Sequence, residues 1–159
     1  MTHKTLSRLL LFAGVIACIG GAAVFFLYAP AMSIECSLMY PELAWLANPL
    51  LLYIWIIALM YIFAVFCYMR ISLRLGKNKS FCAENAADLR HIALWLILAA
   101  GLWFILIFLP GAVGVDIGPA FLLFLLASMA TLAVALVAYV LSLLVRRATT
   151  LQEENDLTI

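Results

Sequence analysis

The sequence predicts an all-α membrane protein of four transmembrane helices with both termini in the cytoplasm, and three observations predict it. Of the 159 residues, 69% are hydrophobic and 11% charged, against about half and about a quarter in an ordinary soluble domain. The apolar excess is gathered into four stretches free of Asp, Glu, Lys and Arg, residues 9–34, 43–69, 91–115 and 117–145. A single crossing takes about 20 apolar residues, so each stretch is long enough to span once and too short to span twice. Finally, all nine Lys and Arg lie before the first stretch, between the second and third, or after the fourth, while the two opposite loops, 33–48 and 110–119, hold none. Positive charge stays cytoplasmic, which places both ends and the long loop inside. A β-barrel would need strands that alternate apolar and polar, and these runs do not alternate.

Helix one is predicted over residues 9–28. Lys4 and Arg8 resemble the basic start of a signal peptide, but the apolar run that follows exceeds the usual 7–15 residues of such a peptide, so the segment reads as a retained span. Ala13, Ala17 and Gly21 lie beside Gly14, Cys18 and Ala22 at four-residue spacing. Such small-residue rows let another helix approach closely, within the chain or from a second copy. The outer loop 29–48 carries Glu35 and Glu42, and residues 43–46 read as a short interfacial segment anchored by Trp45. Helix two is predicted over 49–69, with Pro49 near its start, where proline is tolerated.

Residues 70–91 form the longest polar segment. Gly76-Lys77-Asn78-Lys79 reads as a turn and Ser80 as a helix N-cap. Cys82, Ala86, Leu89 and Ala93 then recur at helical spacing, with Glu84, Asp88 and His91 on another face. This predicts an amphipathic cytoplasmic helix running into helix three. Helix three spans 92–109 and ends at Pro110-Gly111; helix four spans 120–145 and carries the row Ala127, Thr131 and Ala135. The rows on helices one and four are the candidate surfaces for a homo-oligomer. Arg146 and Arg147 suit a helix C-terminal end, and the tail 148–159 then turns acidic. Carboxylates at that end are unfavourable by about 0.3–1 kcal/mol. The helix is therefore expected to stop before or near the carboxylates Glu153, Glu154 and Asp156, and the tail to fold back so that Leu157 and Ile159 pack on Phe81 and Leu89.

The chemistry is sparse. No predicted span interior holds Asp, Glu, Lys, Arg or His. An intramembrane ionisable group is the usual mark of transport function, so the pattern argues against a proton-coupled transporter. His3 and His91 are not placed to ligate haem. The four cysteines offer no CxxC pair, and only Cys36 is predicted to face outside. The hydroxyls of Ser128, Thr131 and Ser142 are expected to bond their own helix. No catalytic, metal or cofactor site is predicted. Arg70, Arg74, Lys77 and Lys79 lie within ten residues, and such a cluster attracts anionic lipid at about 1 kcal/mol per cation.

Gly76-Lys77-Asn78-Lys79-Ser80-Phe81, then Glu84-Asn85, then Leu89-Arg90-His91-Ile92, resemble the loop of an uncharacterised bacterial membrane family, the domain of unknown function 2975. The ending Glu153-Glu154-Asn155-Asp156-Leu157-Thr158-Ile159 is similar to that family's C-terminus. The order of parts is similar too: four spans, a G-x-x-F-x-x-x-N loop before helix three, and an acidic tail. Here Asn78-Lys79-Ser80 lengthens the spacing from Gly76 to Phe81. The resemblance implies a multi-pass protein of the bacterial cytoplasmic (inner) membrane with no established activity. Members are often encoded beside a small Cro/C1-type helix-turn-helix regulator. That implies a DNA-binding partner at the cytoplasmic face, and not nucleic-acid binding by this chain.

The reading that results is a non-enzymatic regulatory or interaction protein. Its partner surface would be built from Arg70, Arg74, Lys77, Lys79, Phe81, Asn85 and Leu89 of the loop, with Glu153, Glu154, Asn155, Asp156, Leu157 and Ile159 of the tail. The alternative is a small transport or channel subunit, or an accessory factor of an envelope enzyme.

Overall fold

The proline at position 30 governs the first helix. In the computed structural model, which describes residues 3–39, 41–77, 82–112 and 119–156, α1 (His3–Ala23) passes through a π-helical turn (Val24–Tyr28) into α2 (Ala29–Met39). The Ala29 N–H donates to the Val24 carbonyl, five residues back. In that register the donor to the Phe25 carbonyl would be residue 30, and proline has no N–H to give. The indole Nε1 of Trp55 donates to that carbonyl instead, at 3.2 Å. An insertion of this kind is an ordinary way for a helix to absorb such a break.

The expected end of helix one at residue 28, and the loop expected over 29–48, are therefore corrected: the chain stays helical to Met39. A 3-10 turn (Pro41–Leu43) leads directly into α3 (Ala44–Leu75). Trp45 thus sits on the first turn of α3 rather than on a separate interfacial segment. Pro49 falls inside the helix, one turn beyond its start, rather than at the first position expected for it. The Ser33 hydroxyl donates to the Ala47 carbonyl at 3.4 Å, tying α2 to this first stretch of α3.

The N–H groups of Asn85 and Ala86 donate to the Cys82 carbonyl, so α4 (Ala83–Ala112) starts later than a Ser80 cap would place it; Ser80 lies outside the described residues. The helix also runs past the expected end at 109 to Ala112. α5 (Pro119–Asp156) is a single helix of 38 residues, about 57 Å long at 1.5 Å per residue. The helix does not stop ahead of the acidic tail, as the expectation allowed, but carries on through both arginines and Glu153 to Asp156. The packed-tail contacts expected of Leu157, Ile159 and Phe81 lie outside the described residues.

Four helical segments are long and apolar enough to cross a membrane: Thr5–Glu35, Ala44–Leu75, Ala83–Phe108 and Phe121–Gln152. They pack in sequence order. Among the described residues α1 and α2 lie against α3, α3 against α4, and α4 against α5, while α1 and α5 do not approach one another. The arrangement is an open row rather than a closed ring. In α4 39% of the span's apolar window is buried, against 6% for the first span, so α4 is the spine. Alanines make the close approach: Ala93 and Ala99 of α4, with Ala135 and Ala138 of α5, are buried. Small side chains bring helix axes together where no hydrophobic force distinguishes protein from lipid. Thr131 and Ala135 of the helix-four row are buried in this way within the chain.

α3 and α5 reach one another through side chains. Tyr61 of α3 shares a hydrogen bond of 2.6 Å with the Thr131 hydroxyl of α5 and accepts one of 3.2 Å from Trp103 Nε1 of α4. Tyr53 donates to the Leu102 carbonyl at 2.8 Å, and Ser128 to the Ala100 carbonyl at 3.0 Å. Ser128 thus bonds a neighbouring helix, where a bond to its own had been expected. Among the described residues no buried side-chain N or O lacks a partner.

Trp55→Phe should cost about 0.6–1.7 kcal/mol, the range of interhelical hydrogen bonds in membranes. In a Pro30→Ala background an N–H returns at residue 30, and the same substitution should cost less than half as much. Reversible unfolding in mixed micelles checks this, and equal costs in the two backgrounds would refute the π-turn account.

Candidate functional site

The polar side chains gather at the end of the molecule that carries the Lys and Arg, here called the basic end. Two joints form there, each from residues near helix ends. The first ties α1 to α3. Ser7 is buried and its hydroxyl donates to the Ser72 carbonyl at 2.7 Å. The Ser72 hydroxyl donates to the Tyr68 carbonyl at 3.0 Å, and the Tyr68 hydroxyl to the Leu10 carbonyl at 3.0 Å. Two glycines leave room for it: a methyl group at Gly76 would lie 2.7 Å from Ser7 Oγ, and one at Gly14 would lie 2.7 Å from Met69 Sδ and 3.0 Å from Tyr68 Cε1.

The second joint ties α3 to α4. Asp88 is 3% exposed and Asn85 2%. One guanidinium nitrogen of Arg74, Nη1, donates to Asp88 Oδ2 and to Asn85 Oδ1, the latter at 3.3 Å. Arg70 Nε stands 3.6 Å from the same carboxylate oxygen. One buried negative charge is thus faced by two positive ones. The arginines are unequally committed, with side chains 22% exposed at Arg74 and 49% at Arg70. Long side chains of this kind keep their charge near water while their stems pack, an escape that the short Asp88 lacks.

These positions sort the residues expected to form a partner surface. Arg70, Arg74 and Asn85 turn inward to Asp88, and Leu89 is half-buried. Lys77 is exposed at the end of the turn that follows α3. Glu154 and Asn155 are exposed on the last turns of α5. The backbones of Glu153 and Asp156 belong to that helix. Lys79, Phe81, Leu157 and Ile159 lie outside the described residues. The structure therefore brings three of the loop residues together around Asp88, which sequence reasoning had put on the outer face with Glu84 and His91. A signal was present: Asp88, Ile92, Leu96 and Ala99 recur at helical spacing, and the last three are buried. Extending the apolar stripe of α4 back by one turn lands on Asp88.

Chemically, the basic end is a clasp. A carboxylate held by arginines, one of which also donates to the Asn85 amide oxygen, fixes the geometry of α3 against α4. Among the described residues no cluster of three His, Cys, Asp or Glu side chains could hold a metal ion. Away from this end, a cavity of about 60 Å³ lies between the first span and α3, lined by apolar groups together with Cys18 and Tyr61.

Four span-length helices, three of them joined at one end by buried polar contacts, define a multi-pass α-helical membrane protein. The chain belongs to the family of proteins of unknown function DUF2975, whose model matches residues 31–159. No curated protein and no solved structure matches it.

Removing one partner from a buried ion pair strands the other, at roughly 3–5 kcal/mol. Arg74→Met should take a large part of that cost, because Asp88 cannot reach water and keeps only Arg70, at 3.6 Å. Asp88→Asn should cost less, because Arg74 can turn outward. The double variant Arg74→Met/Asp88→Leu should recover most of the loss. Unfolding in mixed micelles reads all three, and equal costs for the two single changes would contradict the asymmetry.

Proposed function

We propose that this protein is a non-enzymatic regulatory or interaction protein of the bacterial cytoplasmic membrane, with both termini in the cytoplasm, that presents its basic end to a soluble partner. The observation that carries the reading is the shape of that end. Its polar joints tie helix to helix, and α5 carries on past Arg147 as a continuous helix. A clasp that fixes the ends of α1, α3 and α4 beside that helix is suited to holding a surface at the membrane. The Lys and Arg distribution supports the cytoplasmic assignment through the retention of positive charge inside. A partner such as a small helix-turn-helix regulator is what the sequence resemblance implied. The surface is narrower than the sequence reading had it: Lys77 and the end of α5 carry it, while Arg70 and Arg74 serve the clasp.

Crosslinking in native membranes tests the proposal. The full chain should yield a cytoplasmic protein adduct that is lost from a chain ending after Thr150 and weakened by Lys77→Glu. The same adduct from both chains, or none from either, would sink it. In spheroplasts a membrane-impermeant maleimide should label Cys36 and leave Cys82 unmodified until the membrane is opened. The reverse pattern would invert the topology and remove the cytoplasmic surface.

A further inference from the structure

The two arginines beside Asp88 are spent unequally. Arg74 Nη1 donates to both Asp88 and Asn85, and that pair alone balances the buried charge. Arg70 is a second positive charge for the same carboxylate, held 3.6 Å away through Nε. Among the described residues it makes no hydrogen bond, so both Nη groups stand without a partner on a half-exposed side chain. Its height matters as much as its surplus. α3 is 32 residues long, whereas about 20 cover the hydrocarbon core. The stretch free of Asp, Glu, Lys and Arg ends at Met69. Arg70 is therefore the first charge met on leaving the apolar run, at the level of the lipid headgroups.

The neighbouring groups suit an anion at that level. His91 follows Asp88 by three residues on α4, on the same side of the helix, and is exposed. Glu84, the other carboxylate on that side, lies one turn further from the span and already has a partner. The loop cations that the sequence groups together are thus divided: Arg74 is committed to Asp88, Lys77 lies about two turns beyond Arg70, and Arg70 is left facing the headgroups. A guanidinium fork matches two oxygens of a phosphate. A zwitterionic headgroup brings an ammonium that a cationic site repels, so an anionic headgroup is preferred. We infer that Arg70 is a binding site for the phosphate of an anionic phospholipid. Asp88 holds the guanidinium in place, and Arg74, by satisfying Asp88, leaves Arg70 its charge to offer. The inference goes beyond the proposed function and does not depend on a soluble partner.

The test follows thermal unfolding of the full chain in a neutral detergent while phosphatidylglycerol, phosphatidylcholine or inorganic phosphate is added, with sodium chloride as the ionic-strength control. A ligand of the folded state raises the Tm, and the concentration giving half of the rise is read. Phosphatidylglycerol should stabilise the wild-type chain at lower concentration than phosphatidylcholine. Arg70→Gln should raise its half-point about fivefold, the effect of one cation at the membrane surface. Lys77→Gln should move it less. Asp88→Asn should lower it, because a competing negative charge is gone. A merely structural role would have Asp88→Asn raise the half-point as Arg70→Gln does, and that result would overturn the inference. So would an unchanged half-point in Arg70→Gln, or equal stabilisation by the two lipids. If inorganic phosphate reproduces the stabilisation, the ligand is a free anion and the lipid site falls. Should Arg70→Gln not fold, Arg70→Lys keeps the charge and loses the fork. It should still weaken phosphatidylglycerol, and wild-type values in both Arg70→Lys and Asp88→Asn would refute the site.

Discussion

The rest of this structure depends on one constraint: where water is absent, each polar group must find its partner inside the chain. The chain meets it with single, specific bonds rather than with a polar core. The carbonyl left without a donor by Pro30 is covered by Trp55. Tyr61, Thr131 and Trp103 satisfy one another across three helices. Asp88 is surrounded by Arg74, Arg70 and, through Arg74, Asn85. Each solution is also a joint, so the need to bury polar atoms in pairs is what registers one helix against the next. Alanine packing brings the helices close, and the hydrogen bonds say at what height.

Much of the fold was legible in the sequence, and the illegible parts have physical causes. Span number follows from the ion-free stretches, because charge is what a span cannot carry. Helix ends do not follow. Pro30 reads as a terminator, but a π turn passes it, and nothing local reveals that a tryptophan 25 residues on supplies the missing donor. The acidic tail reads as a helix breaker, but an end-effect below about 1 kcal/mol does not outweigh continuation of a long helix. At the site, Arg70 and Arg74 were picked out for their charge and Asn85 through the family resemblance, and they do form a cluster. Their target was missed, since Asp88 was grouped with the exposed Glu84 and His91 rather than with the buried stripe to which it belongs. Ser7, Ser72 and Gly76 carried no signal, because their joint depends on α1 and α3 meeting at one point.

The open row has an uneven distribution of support. α4 is held on both sides, whereas α1 rests on α3 alone. Its attachment is concentrated near the basic end, at Ser7, Leu10 and Gly14, and again around the π turn at Trp55. Between these the apolar cavity beside Cys18 and Gly21 marks where the two helices separate. The family match begins at residue 31, beyond α1 and the π turn, so it covers the better-supported part of the row.

The π turn does more than pass a proline. One extra residue in a helix rotates everything before it by about 100° relative to everything after it. The segment from His3 to Met39 is helical throughout, yet Ser7 and Gly14 at one end and Ser33 at the other all face α3. The turn is therefore a phase adjuster. It lets one rod present two faces, out of step with each other, to a single neighbour, and the number of residues between Gly14 and Ser33 is set by geometry as firmly as any side chain.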